Sequence, residues 1–90
     1  MKRLEMRIKG RVQGVSFRYN TKKQAQSLNV AGYVKNLPDG TVEVKAEGPE
    51  QDLEQLKAFC EEGPTMARVE DMELDWKEHK DEFSNFEVRY

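Results

Sequence analysis

Ninety residues suit one compact domain, residues 1–90, with no room for a second core. Charged side chains make up 36% of the chain, hydrophobic ones 37%, and the formal net charge is −2, so no overall basic field points to nucleic acid or a membrane surface. The single cysteine, Cys60, excludes an internal disulfide, and neither a membrane-spanning apolar run nor a signal-peptide pattern is present, so a soluble, cytoplasmic protein is expected.

Leu4, Met6 and Ile8 alternate with Glu5, Arg7 and Lys9, the period of two expected of a strand with one buried face. The stretch Gly10-Arg11-Val12-Gln13-Gly14-Val15-Ser16-Phe17-Arg18 follows, and Phe17, Thr21, Ala25 and Leu28 then recur at helical spacing. A strand, a glycine loop and a helix start suit an anion. The first helical N–H groups have no intrahelical partners, they carry the positive end of the dipole, and Gly14 puts no Cβ in the way of a close approach. Glycines after a strand are also ordinary turn residues, and the spacing fits neither the P-loop nor the dinucleotide fingerprint. On the loop alone, an anion site and a structural turn both stay open.

Val30 to Leu37 reads as a strand, Pro38-Asp39-Gly40 as a tight turn, and Thr41 to Glu47 as a strand that alternates Val42, Val44 and Ala46 with charges. Gly48-Pro49-Glu50 opens a second helix with proline and acids in its first turn; Leu53, Leu56, Phe59 and Cys60 form its apolar stripe, and Gly63-Pro64 ends it. Met72, Leu74 and Trp76 alternate in a further strand, Lys77 to Glu82 reads as a charged loop, and Phe86, Val88 and Tyr90 alternate to the end. Val69 is out of phase with the fourth strand, which points to a bulge.

This order predicts an α+β fold of the ferredoxin-like β-α-β-β-α-β plan: an antiparallel sheet, two helices on one face, and an additional short C-terminal strand. Ile8, Leu28, Val42, Val44, Leu53, Leu56, Phe59, Leu74 and Val88 are the expected core. In that plan the first and second strands run parallel with the third between them, which brings the glycine loop and Asn36 to one edge, on the order of 10 Å apart at the backbone. Local charge agrees: Arg11, Arg18, Lys22, Lys23 and Lys35 fall in the first part of the chain, whereas Glu47 to Glu62 is acidic. Arg18 offers a planar fork of donors that grips two phosphate oxygens, and Asn36 offers a neutral acceptor that orients water beside an anion.

The segment Gly10 to Arg18 resembles the first signature of the acylphosphatase family. Gly32-Tyr33-Val34-Lys35-Asn36, continuing through Gly40, Val42 and Gly48, resembles the second, and the similarity runs through Phe86 to Tyr90. The resemblance implies hydrolysis of the carboxyl-phosphate anhydride bond of acyl phosphates to a carboxylate and inorganic phosphate, with no metal, no cofactor and no covalent phosphoenzyme. Carried over by position, Arg18 binds the phosphoryl group together with the backbone amides of Gln13, Gly14, Val15, Ser16 and Phe17, and Asn36 orients the attacking water. The expected partner is a small-molecule acyl phosphate; no nucleic acid or membrane partner is expected, and the charged surface favours a monomer.

The alternative class is a non-catalytic anion-binding sensor or interaction domain of the same fold. RNA binding is disfavoured because the outward positions of the first and third strands, among them Glu5, Arg7, Lys9, Glu43 and Lys45, carry nothing that stacks on a base. Ser16 reads as a loop-accommodating residue with no activating base, Cys60 as core, and His79 as part of a solvated loop. Asp71, Glu73 and Asp75 share one side of a strand and read as a solvated face opposite lysines.

Overall fold

The computed structural model describes residues 1–90, with elements in the order β1 (Lys2–Arg11), α1 (Phe17–Gln26), β2 (Ala31–Asn36), β3 (Val42–Gly48), α2 (Glu50–Glu62), β4 (Arg68–Glu78) and β5 (Phe86–Arg89). The strands lie side by side as β4-β1-β3-β2-β5. β3 is antiparallel to both β1 and β2, so those two run parallel with β3 between them, as the element order predicts. β5 departs from the expected antiparallel sheet. It pairs parallel to β2, from Gly32 with Phe86 to Lys35 with Arg89, and makes the sheet mixed. The reason is topological: β4 ends where β2 begins, and the chain crosses there to the far edge.

Leu4, Met6 and Ile8 on β1, Val34 on β2, and Val42, Val44 and Ala46 on β3 form one apolar face. Phe17 and Ala25 from α1, with Leu53, Leu56 and Cys60 from α2, close over it in a single cluster. Replacing Leu53 or Leu56 by alanine would cost about 2–5 kcal/mol. Of the expected core, Leu28, Phe59 and Val88 are only partly buried, and Leu74 is 40% exposed. β4 is one of the two edge strands, and α2 covers its helix-side face incompletely, so Leu74 and Trp76 stay partly accessible.

β4 also runs further than the sequence pattern suggests. Lys77 and Glu78 belong to it, paired with Arg3 and Lys2, and the connecting loop starts only at His79. The bulge that Val69 implies is found where the β1 to β4 register shifts between Lys9 and Gly10, and it returns Val69 to contact with the core. Gly10 is required there. Its φ is 127°, and a Cβ would lie 2.1 Å from the carbonyl oxygen of Arg68.

The far side of the sheet is charged, but one corner is covered. Residues 79–85 cross over the start of β1 and the end of β3, where Glu47 accepts the backbone N–H groups of Lys80 (2.9 Å) and Glu82 (3.2 Å). His79 is part of this corner, its Nε2 3.5 Å from Glu47, rather than a freely solvated residue. Tyr33 shares this face, yet it is buried against Phe83, ring centres 6.0 Å apart, with the Arg89 guanidinium 4.2 Å over its ring.

Candidate active site

The chain leaves β1 at Arg11 and enters α1 at Phe17, whose buried ring anchors the helix start. Between them the loop tightens at Gly14 (φ 74°) and Ser16 (φ 62°). Ser16 is the N-cap residue, but its hydroxyl caps nothing, and the first turn of α1 holds no acid. The carbonyl of Ser16 instead accepts both the backbone N–H and the side-chain amide of Asn20. No N–H from Gln13 through Phe17 donates to an acceptor in the protein. A helix start with free donors and no neutralising carboxylate is a standing attraction for an anion.

Gln13 ties this loop to the second segment of the site. Its carboxamide Nε2 donates to the carbonyls of Leu37 (2.8 Å) and Thr41 (2.9 Å) across the mouth of the β2 to β3 hairpin. The hairpin turn is itself fixed. Asp39 accepts the Thr41 backbone N–H at 3.0 Å and its hydroxyl at 2.6 Å, and Gly40 N–H closes onto Leu37. Leu37 follows Asn36 directly, so one glutamine side chain sets the loop relative to the last residue of β2.

The two segments enclose a pocket of about 260 Å³. Gly14, Ser16, Phe17, Arg18 and Asn36 line it; Gln13 and Val15 do not. Tyr19, Lys22, Val88 and Tyr90, none of them among the expected site residues, complete the wall with Val12. Val88 and Tyr90 are there because β5 pairs beside β2, a neighbour relation that short-range pattern does not reveal.

No side-chain carboxylate lines the pocket, and Arg18 has no ion-pair partner there. Its guanidinium lies 4.7 Å over the Tyr90 ring and reaches the Arg89 carbonyl at 3.4 Å, a long contact that a better acceptor would displace. Asn36 lies at the other side, and its Oδ1 is buried with no hydrogen-bond partner in the protein. A buried, unpaired amide oxygen costs about 1–3 kcal/mol unless something outside the protein donates to it. Cys60 lies apart, wholly buried, its thiol pushed up to about 12 by burial, so it offers no thiolate.

A loop with free N–H donors, an arginine without an ion-pair partner and an unpaired asparagine oxygen thus meet on this scaffold. The pattern that defines the Acylphosphatase family matches residues 4–88. The chain belongs to the acylphosphatase family. It is 49% identical over 88 residues to the acylphosphatase of Salinibacter ruber, covering 98% of this chain and 93% of that one. It is 50% identical over 78 residues to that of Thermus thermophilus, covering 87% and 89%. The crystal structure of acylphosphatase from Bacillus subtilis superimposes with a TM-score of 0.95 at 34% identity, over 100% of both chains. The β5 strand and the mixed sheet are therefore features of an acylphosphatase fold, and the chain is an enzyme of acyl phosphate hydrolysis.

Proposed function

We propose that the pocket hydrolyses acyl phosphates by direct attack of water on a phosphoryl group held by Arg18 and the loop amides. The observation that carries this reading is Asn36 Oδ1, a buried acceptor with no partner, in the same pocket as a guanidinium that meets no carboxylate. The phosphoryl oxygens take hydrogen bonds from Arg18 and from the free N–H groups of Gln13 to Phe17. Three of those residues, Gly14, Ser16 and Phe17, border the pocket, and this supports their part most directly. Asn36 Oδ1 accepts a hydrogen bond from the attacking water and aims the water's lone pair at phosphorus.

In the step itself, the water oxygen forms a bond to phosphorus while the phosphorus to acyl-oxygen bond breaks. The electron pair of that bond leaves on the carboxylate, and the water proton passes to a phosphoryl oxygen. A carboxylate is a weak base, so its departure needs no strong general acid, which suits a pocket without histidine or side-chain carboxyl groups. Fixed donors act where negative charge gathers in the transition state, and they do so without reorganising. No residue is assigned to a metal, so turnover is expected to survive a chelator.

The test is hydrolysis of benzoyl phosphate by the purified protein with a chelator present, beside Arg18→Ala and Asn36→Ala proteins shown to be folded by circular dichroism. Chelator-resistant turnover that both replacements abolish supports the assignment. Absence of turnover in the folded wild type would leave an anion-binding domain without this chemistry.

A further inference from the structure

Arg3, Lys9, Lys57, Lys77 and Arg89 each sit within ion-pair distance of a carboxylate. Lys22 does not, although it is half-buried, and it lines the same pocket as Arg18 one helical turn away. Side chains four apart on a helix are neighbours, so these two cations repel each other. α1 does nothing to relieve the repulsion, since Arg18, Lys22 and Lys23 are its charges and it has no acid. Two like charges facing one pocket become favourable when anionic groups lie between or beside them. A phosphoryl group gripped by Arg18 and the loop amides already saturates those donors. The acyl part must then lie along the rest of the wall, where Val88, Tyr19 and Tyr90 supply apolar surface and Lys22 supplies the remaining charge.

We propose that Lys22 forms a second anion subsite, so that this acylphosphatase prefers acyl phosphates whose acyl part carries its own carboxylate. The proposal rests on the reading of the pocket as the site of hydrolysis. A carboxylate fits better than a second phosphate because its single charge is balanced by one ammonium. Lys23 provides the control. Its ammonium lies 5.5 Å from the Tyr19 ring centre, and it does not border the pocket.

The experiment compares kcat/KM for 4-carboxybenzoyl phosphate and 4-methylbenzoyl phosphate, a pair matched in size and differing in charge, at low ionic strength. The wild type is expected to prefer the carboxylated substrate about three- to fivefold, the range of a partly exposed ion pair. Lys22→Gln should bring that ratio to about one, Lys22→Glu should invert it, and Lys23→Gln should leave it in place. Equal rates for both substrates in the wild type, or an equal fall of the ratio in Lys22→Gln and Lys23→Gln, overturns the subsite. The matching acyl phosphonates, which cannot be hydrolysed, give the same ratio as affinities by calorimetry. A protein that hydrolyses neither phosphate sinks the reaction reading, while the phosphonate ratio still decides Lys22.

Discussion

Arg3 and Arg18 lie towards opposite ends of one sheet, and the fold treats them in opposite ways. Arg3, 3% exposed at the start of β1, holds Glu5 at 2.8 Å, Glu47 at 2.9 Å and Glu82 at 2.6 Å, with its guanidinium 5.2 Å over the Phe83 ring. Arg18, just past the other end of the strand, meets no carboxylate and makes one long contact to a carbonyl. A charge held by three carboxylates fastens the chain; a charge left with free donors is available to a ligand. At the Arg3 end, burial pushes the Glu47 carboxyl up. The Lys80 N–H, the Arg3 guanidinium and the Glu82 N–H together outweigh burial and hold it below its ordinary value. The pocket end has donors in excess and an orphaned acceptor instead.

Replacing the two arginines should separate stability from turnover. Arg3→Met leaves Glu47 buried without its cation and should cost about 3–5 kcal/mol in urea unfolding, with kcat of the folded fraction kept. Its pH dependence sharpens the point. Glu5 and Glu47 titrate below the ordinary value of 4.5, so their contribution is complete above that pH and is lost as pH falls through their lowered values. Arg3→Met should flatten that acid limb of the stability curve, and an unchanged limb would refute the clamp. Arg18→Ala should do the reverse: a loss of about 2.7–4 kcal/mol in transition-state stabilisation, weaker inhibition by phosphate, and an unfolding midpoint near that of the wild type.

Smaller effects test how the pocket is held. Asn36→Ala should lower kcat on the order of 100-fold while phosphate affinity stays close to that of the wild type, since the water rather than the phosphoryl group loses its guide. Gln13→Met, similar in length but without donors, should cost about 1–2 kcal/mol of stability and reduce turnover by less than Asn36→Ala, measured by urea unfolding and steady-state kinetics. Ser16→Gly should change stability least. Relief of left-handed strain, about 1 kcal/mol, is offset by the greater freedom glycine gives the unfolded chain, and thermal unfolding should register a shift of no more than a few degrees.

The alternation of Leu4, Met6 and Ile8 and of Val42, Val44 and Ala46 made β1 and β3 legible, because strong period-two burial leaves a direct trace in sequence. That the glycine loop and Asn36 meet at one pocket was legible for another reason: the element order alone places the ends of β1 and β2 on the same edge of the sheet. The last residues of β4 were not legible, since an edge strand with charges on its solvent side looks like a loop. The Arg3 clamp was hidden because two of its three carboxylates lie 44 and 79 positions away, and nothing periodic links them. Gln13 could be seen as a loop residue, but its side chain's partners are hairpin carbonyls 24 and 28 positions on. The exposure of Leu74 escaped for a related reason: alternation says which face a side chain is on, not whether another element covers it.

Cys60 gives the molecule a built-in clock. It is the sole thiol, wholly enclosed beside Thr21 between the two helices, and burial raises it to about 12. A thiol reagent therefore waits until the helices part and water reaches the sulfur. Under conditions where reclosing outpaces reaction, the modification rate reports the free energy of that opening, with no label engineered into the chain. The same measurement with phosphate present would show whether an occupied pocket slows the parting of α1 and α2.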